Sequence, residues 1–400
     1  MILMPLLIVT WLLLLYGILA LFSVSVHESF TTTLSLIAKW TFDGEASNYF
    51  YFFKQLNNLI YVAVLAYIAY ITPLKIFKNE KFLIFVSVIV LIFQLLVFTP
   101  LGTTLWWARG WLNIPWLPSI QPVEFFKIGY VIFISRWFIR KEHLLNSGSI
   151  LKKFFVLNAL LFLIFALIPD LWSVLIMAIT WVIIGIYAGI SIKNIARMFL
   201  IGAWWLWLVI WWFLWLNNSY CKEIPLNERP SICRYTYIAN RIEVYINPDS
   251  DESWQNASRQ GRQALIAIGG GWFFGNWYGK WLQKFWYIPE AQSDFIFSAY
   301  AEEVGFFGIS ILFILYGLLI YYTVIKIGQV RDNFFKYISI WLLSLIIVWA
   351  FVHIGVNIQL LPNTWLTLPF ISYGGTSLMA NVVSVILLYK ILYLDPHKTY

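Results

Sequence analysis

Four carboxylates crowd together in the segment Gly269–Gly308, where a long polar stretch meets an apolar one. They are Glu290, Asp294, Glu302 and Glu303. If a helix starts near Ser293, Asp294 and Glu302 share one face with Ser298, because residues four apart lie one above the other. A carboxylate carried into a bilayer costs ~2.5–3.5 kcal/mol on insertion scales. The cluster therefore indicates either a functional site or carboxylates that a basic residue pins for architecture.

Two basic residues are candidate partners for these acids. Arg109 lies among tryptophans in the segment WARGW, and Lys127 follows Glu124 by three residues, about one turn inside a predicted span. That span begins at Gln121-Pro122, and proline suits a first helical turn. A Glu–Lys pair at this spacing can neutralise itself. Alternatively, Lys127 faces an interior cavity and serves an anionic ligand or the opposing carboxylates.

A third group of candidates lies in LPNTWLTLPFISYGGTSLMAN, near the end of the chain. Hydroxyls and backbone amides at a helix start can hold an anion; a plain helix-capping loop is the alternative. The candidates here are Ser372, Gly374, Gly375, Thr376 and Ser377. Asp170, after Pro169, is interpreted as a cap of the helix that follows it.

The elements that must position these residues are transmembrane helices. The 400 residues are 61% hydrophobic and 12% charged, which excludes a soluble domain. Apolar runs of spanning length recur along the chain, so we expect an all-α polytopic membrane protein forming one domain over residues 1–400. The ten predicted spans are about 5–24, 54–72, 82–100, 122–140, 153–169, 171–190, 197–216, 295–325, 336–359 and 376–394.

Charge asymmetry predicts the orientation. With both termini inside, fifteen of the 27 basic residues and only four acids fall on the cytoplasmic side, as the positive-inside rule requires. The large loop at about 217–293, between the seventh and eighth spans, then lies outside the cell. The basic balance reports topology, so no nucleic-acid partner is expected. Cys221 and Cys233 both lie in that outer loop, where an oxidising compartment permits them to pair.

Seven segments, spread in order along nearly the whole chain, resemble the SEDS family (shape, elongation, division and sporulation; the FtsW/RodA/SpoVE proteins). The most specific is LPFISYGG combined with PEA, DFIF and the EE pair, whereas a lone IPDL would mean little. The PEA element and the GGW tryptophan resemble the division branch slightly more than the elongation branch. The segments are YGILALFSVS, QPVEFFK, IPDL, RIEVYINP, QALIAIGGG, IPEAQSDFIFSAYAEEVGFFG and LPFISYGGTSLMAN.

The resemblance implies three catalytic residues. The family's essential acid maps onto Asp294 through DFIF, its basic partner onto Lys127 through QPxExxK, and its loop arginine onto Arg109. The residues that we expect to bind substrate are Glu290, Glu302, Glu124, Ser372, Gly374, Gly375 and Ser377. The chain departs from the family pattern around this core at Ile168, Trp172, Gln292, Ser293, His353 and Gln359. These departures concern substrate contacts more than the type of reaction.

The implied activity is polymerisation of lipid II, an undecaprenyl-pyrophosphate-linked disaccharide peptide, into glycan at the outer face of the bacterial cytoplasmic membrane. A divalent cation, Mg or Mn, could lie near Asp294 and Glu290; no organic cofactor is expected. The expected partners are membrane lipid and a class B penicillin-binding protein transpeptidase. The rival readings are a lipid II flippase and a non-catalytic scaffold. A flippase should carry ionisable residues at midplane and pseudo-symmetric halves, whereas here the acids cluster at the outer end.

Overall fold

The computed structural model describes most of the chain, and its fold is helical apart from one short hairpin. The described residues are 5–39, 41, 44–105, 108–114, 118–141, 144–168, 170–221, 224, 233, 241–242, 244–247, 257–276, 288 and 290–394.

A helix overlaps each of the ten predicted ranges, and the number of spans stays a prediction. Among the described residues, six helices are long and apolar enough to cross a membrane, namely α1, α3, α10, α11, and α4 and α12 with their short extensions. The multi-pass architecture is thus confirmed. The helices are α1 Pro5–Val24, α2 Val26–Ala38, α3 Phe50–Ile71, α4 Glu80–Leu95, α5 Pro122–Arg140, α6 Gly148–Leu167, α7 Leu171–Tyr187, α8 Ile192–Leu216, α9 Ala257–Gly270, α10 Ile296–Ile327, α11 Asn333–Asn357 and α12 Gly375–Tyr389.

Three elements outside the predicted spans were not predicted. Helix α2 lies between the first and second predicted spans, and α9 lies within the loop 217–293. Strands β1 (Gly102–Leu105) and β2 (Ala108–Leu112) pair antiparallel, with Gly102 opposite Leu112. The all-α prediction lacked this hairpin because its strands are too short to show a clear two-residue period.

Helix α11 lies at the centre of the bundle. It contacts α5, α7 and α10, while α1 packs on α10, α3 on α12 and α4 on α5. In the most apolar window of α11, 78% of the residues are buried, against 17% in α4. A helix that is apolar all round belongs in such a core. The exposed tryptophans of α8, as expected of a lipid-facing surface, are Trp204, Trp205, Trp207, Trp211, Trp212 and Trp215.

Lys390, in a short π-helical turn after α12, is buried rather than merely a topology-setting charge. Its ammonium donates to the carbonyl oxygen of Ala69 (3.2 Å) and to that of Thr72. Both carbonyls lie at the C-terminus of α3, where the last four carbonyls lack helical partners. A cation there also complements the helix dipole. The last span is therefore bonded directly to the end of an early one.

Helix α10 is interrupted at Gly305, whose φ is +65°. Beyond the interruption, the N–H groups of Phe306 and Phe307 donate to the carbonyls of Trp272 and Phe273, both at 2.9 Å. The freed Glu302 carbonyl accepts from the Asn276 N–H at 3.0 Å. The chain after α9 thus satisfies the backbone groups that the interruption leaves open. We call residues 271–276 and 302–307 the glycine clasp.

Candidate active site

The candidate site is built on the loop that enters α10. The N–H groups of Ser293 and Asp294 both donate to the Glu290 carbonyl at 3.1 Å. Helix α10 begins at Ile296, so Asp294 lies in the turn before the helix. The predicted start near Ser293 would have placed Asp294 on the helix itself. Glu290 has φ +55°, a conformation that costs a non-glycine residue free energy and clusters at functional sites.

The Glu290 carboxylate is held within this same loop. Its Oε2 accepts from the Gln292 amide at 3.0 Å and from the Ser293 hydroxyl at 3.3 Å. Gln292 and Ser293 are two of the positions where the chain departs from the family pattern. The substituted residues therefore orient Glu290 through their own side chains.

The loop that carries LPFISYGG holds Asp294 from the other side. The buried Ser372 hydroxyl donates to the Ser293 carbonyl at 2.6 Å and accepts from the Leu368 N–H at 2.7 Å. The Tyr373 N–H donates to the Gln292 carbonyl at 2.9 Å. Ser372 was predicted to bind substrate, and in the structure its hydroxyl joins two loops. Contact with substrate at this position stays a prediction.

Burial raises the pKa of the Asp294 carboxyl well above its ordinary value, and the neighbouring Glu290 raises it further. Arg241 and the Ser293 hydroxyl act in the opposite direction. The pKa of Glu290 is raised too, by burial and then by Glu28, against a lowering by Ser293. A carboxyl whose pKa is raised by burial and by a second carboxylate is a candidate general base with a stated physical cause.

Arg241 is a further charged residue near Asp294, and its sequence setting did not single it out. Its guanidinium donates to the Asn363 carbonyl at 2.8 Å and stacks over the Trp365 ring, 4.7 Å from the centroid. It also lies within electrostatic reach of Asp294. Its segment, RIEVYINP, entered the sequence analysis only as a mark of family resemblance. An arginine whose guanidinium stacks on a tryptophan and bonds a carbonyl is held in a fixed position, so its charge acts from a fixed place.

Aromatic residues and a lysine complete the outer edge of the site. The rings of Tyr51 and Tyr373 are 4.8 Å apart, and the Lys54 ammonium lies 6.0 Å from the Tyr373 centroid. Burial raises the pKa of the Tyr373 hydroxyl, with further contributions from Tyr51 and Glu290. Glu28 joins this group from the first turn of α2.

Lys127 belongs to a second, buried cluster. Its ammonium pairs with Glu124 at 2.8 Å and lies 3.2 Å from the centroid of the Trp349 ring. Asp170 is within electrostatic reach, and it caps α7 by accepting from the Ser173 N–H at 3.1 Å. The expected local pair and the expected cap are both found. Opposing the Asp294 carboxylate, the other role considered for Lys127, stays a prediction.

The remaining predicted residues occupy different settings. Arg109 lies on β2, and its side chain is outside the described residues. Glu302 is buried on α10 beneath Gly270 at the end of α9. The Ser377 hydroxyl accepts from Thr367 at 2.8 Å. Gly374 and Gly375 start α12, and a Cβ on Gly375 would lie 2.9 Å from the Asn58 amide. These substrate-binding roles remain predictions.

The predicted metal site can be compared with the side chains that the structure describes. Among the residues that the structure describes, no group of three or more His, Cys, Asp or Glu could hold one. Glu290 and Asp294 supply two carboxylates on one loop. Mg²⁺ commonly takes one or two carboxylates and completes its shell with substrate phosphates and water. These two carboxylates could take part in holding such an ion together with substrate phosphates, and the predicted cation stays a prediction.

Cys221 and Cys233 form a disulfide with their Cα atoms 5.7 Å apart. The pairing that the sequence permitted is therefore confirmed. The bridge ties the end of α8 to the loop that follows it, and it leaves no free cysteine among the described residues.

The fold and this site define a polytopic membrane protein with a carboxylate centre at the mouth of a helix bundle. The family model described as cell cycle protein, for FtsW, RodA and SpoVE, matches residues 4–395. The chain belongs to this family.

Curated relatives agree with this assignment. Stage V sporulation protein E of Bacillus subtilis is 30% identical over 285 residues, covering 70% of this chain and 69% of that protein. The probable peptidoglycan glycosyltransferase FtsW of Thiomonas intermedia is 27% identical over 399 residues, covering 96% of this chain and 86% of the relative.

Two solved structures share the fold. One is a chain of a peptidoglycan synthase complex studied for the coordination of polymerization and crosslinking, with TM-score 0.66, 22% identity and 98% of each chain covered. The other is the rod shape determining protein RodA of Thermus thermophilus, with TM-score 0.59 and 21% identity, covering 98% of this chain and 97% of that one.

Proposed function

We propose that this protein is a peptidoglycan glycosyltransferase that polymerises lipid II into glycan strands. The observation that carries the proposal is Asp294, a carboxyl of raised pKa on the loop entering α10, beside the positioned cation Arg241. Curated relatives named as probable peptidoglycan glycosyltransferases support the same reaction. The role is in cell division or cell shape.

Asp294 acts as the general base. A sugar hydroxyl of one substrate attacks the anomeric carbon of another, and its proton passes to the Asp294 carboxylate as the new glycosidic bond forms. The bond between that anomeric carbon and the undecaprenyl pyrophosphate breaks, and the pyrophosphate leaves with the electron pair. A base is most effective when its pKa lies near the working pH, so a raised carboxyl pKa favours this role.

Cations stabilise the leaving pyrophosphate. The positive charge of Arg241 acts on Asp294. A planar guanidinium can hold phosphate oxygens through two hydrogen bonds. Arg109 is the second candidate, and Lys127 either serves the phosphate or maintains the buried charge balance beside Glu124. If a divalent cation takes part, Glu290 and Asp294 hold it together with the pyrophosphate oxygens.

All ten predicted spans cross the cytoplasmic membrane, with both termini inside and the site at the outer face. That arrangement puts the large loop, with its disulfide, in the oxidising compartment. We also propose a class B penicillin-binding protein transpeptidase as the partner, on the likeness to a chain from a peptidoglycan synthase complex.

Reconstitution with purified lipid II tests the function. Wild-type protein in proteoliposomes should form glycan polymer, and Asp294→Asn should form ~10²–10⁴-fold less, the usual contribution of a general base. Asp332→Asn, which keeps a capping oxygen at the start of α11, is the matched control for loss of one carboxylate.

Three other outcomes would each change the assignment. Near-wild-type polymer from Asp294→Asn would mean that another carboxylate is the base, with Glu290 and Glu302 next to test. Movement of lipid II across the membrane without any polymer from wild-type protein would identify a flippase. If the wild-type protein neither forms polymer nor transports lipid II, the non-catalytic scaffold is the remaining alternative.

A further inference from the structure

Helix α10 begins without a capping side chain of its own, although the candidate base directly precedes it. The residue at its N-cap position is Phe295, whose side chain cannot accept a hydrogen bond. The first N–H groups of a helix have no partner within the helix and need one from elsewhere. The loss of a cap typically costs ~1 kcal/mol, so the start of α10 must be held by another element.

That element is α11, through Asn357. The Asn357 Oδ1 accepts from the Ser298 N–H at 3.1 Å and from the Ser298 hydroxyl at 2.9 Å. Ser298 is the third residue of α10, the position that an N-cap side chain normally serves. Asn357 therefore caps α10 from a neighbouring helix.

The other end of the same amide reaches the candidate base. The Asn357 Nδ2 donates to the Asp294 carbonyl at 2.9 Å and to the His353 carbonyl at 3.0 Å. Two carbonyls face the nitrogen, and an N–H and a hydroxyl face the oxygen, so only one orientation of the amide satisfies all four groups. The side chain is fully buried, at 0% exposed.

We propose that Asn357 is a positioning residue, which sets the place of the Asp294 carboxylate by fixing the backbone of Asp294 and the first turn of α10 to α11. The inference rests on the proposed function, because it assigns Asn357 no contact with substrate. Ser372 and Tyr373 hold the loop at Ser293 and Gln292, while Asn357 holds it at Asp294 itself. Without Asn357, the carboxylate keeps its charge and loses its fixed distance to the attacking hydroxyl.

The test compares two buried asparagines. Asn158 on α6 is 2% exposed, donates to the carbonyl four residues earlier at 2.8 Å and bonds the Tyr130 hydroxyl. It matches Asn357 in burial and in its bond within the helix, and it belongs to the Tyr130 pair rather than to the α10 loop. Asn357→Leu and Asn158→Leu should thus lower the thermal stability of the purified protein by similar amounts.

Kinetics separate positioning from packing. In proteoliposomes with lipid II, Asn357→Leu should lower kcat by ~10²-fold, the effect of a misplacement of about 1 Å, with KM within about threefold of wild type. Asn158→Leu should keep kcat within about threefold. Equal kcat for Asn357→Leu and wild type, or equal losses in both variants, would overturn the proposal.

A second variant covers the case in which Asn357→Leu is not recovered folded. Asn357→Ala removes the amide without adding bulk or charge, so neither the Ser298 N–H nor the Asp294 carbonyl keeps its partner. We expect a fall in kcat with KM retained; wild-type kcat would overturn the positioning role. Polymer from wild type with unaffected variants removes only this inference, whereas no polymer from wild type removes the proposed function and this inference with it.

Discussion

Asp294 shows at the scale of one residue how catalysis and stability oppose each other. Because its folded pKa is raised, the folded protein binds a proton more tightly than the unfolded chain. The stability that this proton contributes is present below the ordinary aspartate pKa of about 3.9 and is lost as pH rises toward the raised value. At neutral pH the carboxyl is therefore a cost to the fold.

Replacing Asp294 with Asn should thus stabilise the protein while it removes activity. We expect the melting temperature of Asp294→Asn to exceed that of wild type at pH 7 and to converge on it near pH 4, because Asn stays neutral at both. Thermal unfolding of the detergent-solubilised protein across this range measures the difference. A lower melting temperature for the variant at pH 7 would show that ionised Asp294 is well compensated.

Arg241 should set the acidic limb of the activity. It lowers the pKa of Asp294, so Arg241→Gln should move the acidic limb of the pH–rate profile for polymerisation to higher pH. Arg259→Gln, on an exposed arginine of α9, is the control and should leave the profile in place. If the two profiles coincide, Arg241 has no part in tuning the base.

The sequence allowed charged residues to be selected as candidates, but it did not show the contacts that folding creates. Asp294 and Lys127 stand out because a charge at the edge of an apolar run is rare. Arg241 did not stand out, because an arginine in a polar loop is ordinary until Trp365 and Asp294 are brought to it by folding. The cap by Asn357 could not be seen in the sequence either, because Asn357 lies 59 positions after Ser298 and 63 positions after Asp294.

At the scale of elements, the glycine clasp stabilises the interruption of α10 at Gly305. Gly275 has φ +76°, and a Cβ there would lie 1.9 Å from the Glu303 carbonyl oxygen. Neither the backbone angle nor the neighbouring backbone can adjust cheaply. The clasp therefore requires glycine at this position.

Gly275→Ala should cost at least ~2 kcal/mol, since residues held in disfavoured backbone regions cost ~1–3 kcal/mol before any overlap is counted. Gly317→Ala in the same α10 is the control, because nothing lies within 4 Å of its Cβ and alanine is the better helix former. Melting temperatures of the two variants measure the contrast. Equal stability would mean that the clasp opens without cost.

The helices were predicted well because hydrophobic runs of spanning length leave few alternatives. Helix α1 and helix α5 coincide with their predicted bounds of 5–24 and 122–140. The polar helices and the hairpin were not predicted from the sequence. Helix α2 and the β1–β2 pair are stabilised by packing on the bundle and have no long apolar pattern. The single-domain assignment over residues 1–400 stays a prediction.

At the scale of the whole molecule, orientation is open to a direct test. The native cysteines are bonded to each other, so an added cysteine reports alone. Arg259→Cys on α9 should react with an impermeant thiol reagent in intact cells, whereas Lys193→Cys at the start of α8 should react only after permeabilisation. Both positions are exposed. The reverse pattern would invert the topology and place the site inside.

The bond from Lys390 to the end of α3 has a consequence for how the chain is made. The donor to the Ala69 carbonyl lies 321 residues later in the chain, so all of those residues must be translated before that helix end is closed. Until then α3 depends on water at its open end. A nascent chain stalled before Lys390 would leave the carbonyls of Ala69 and Thr72 without this donor.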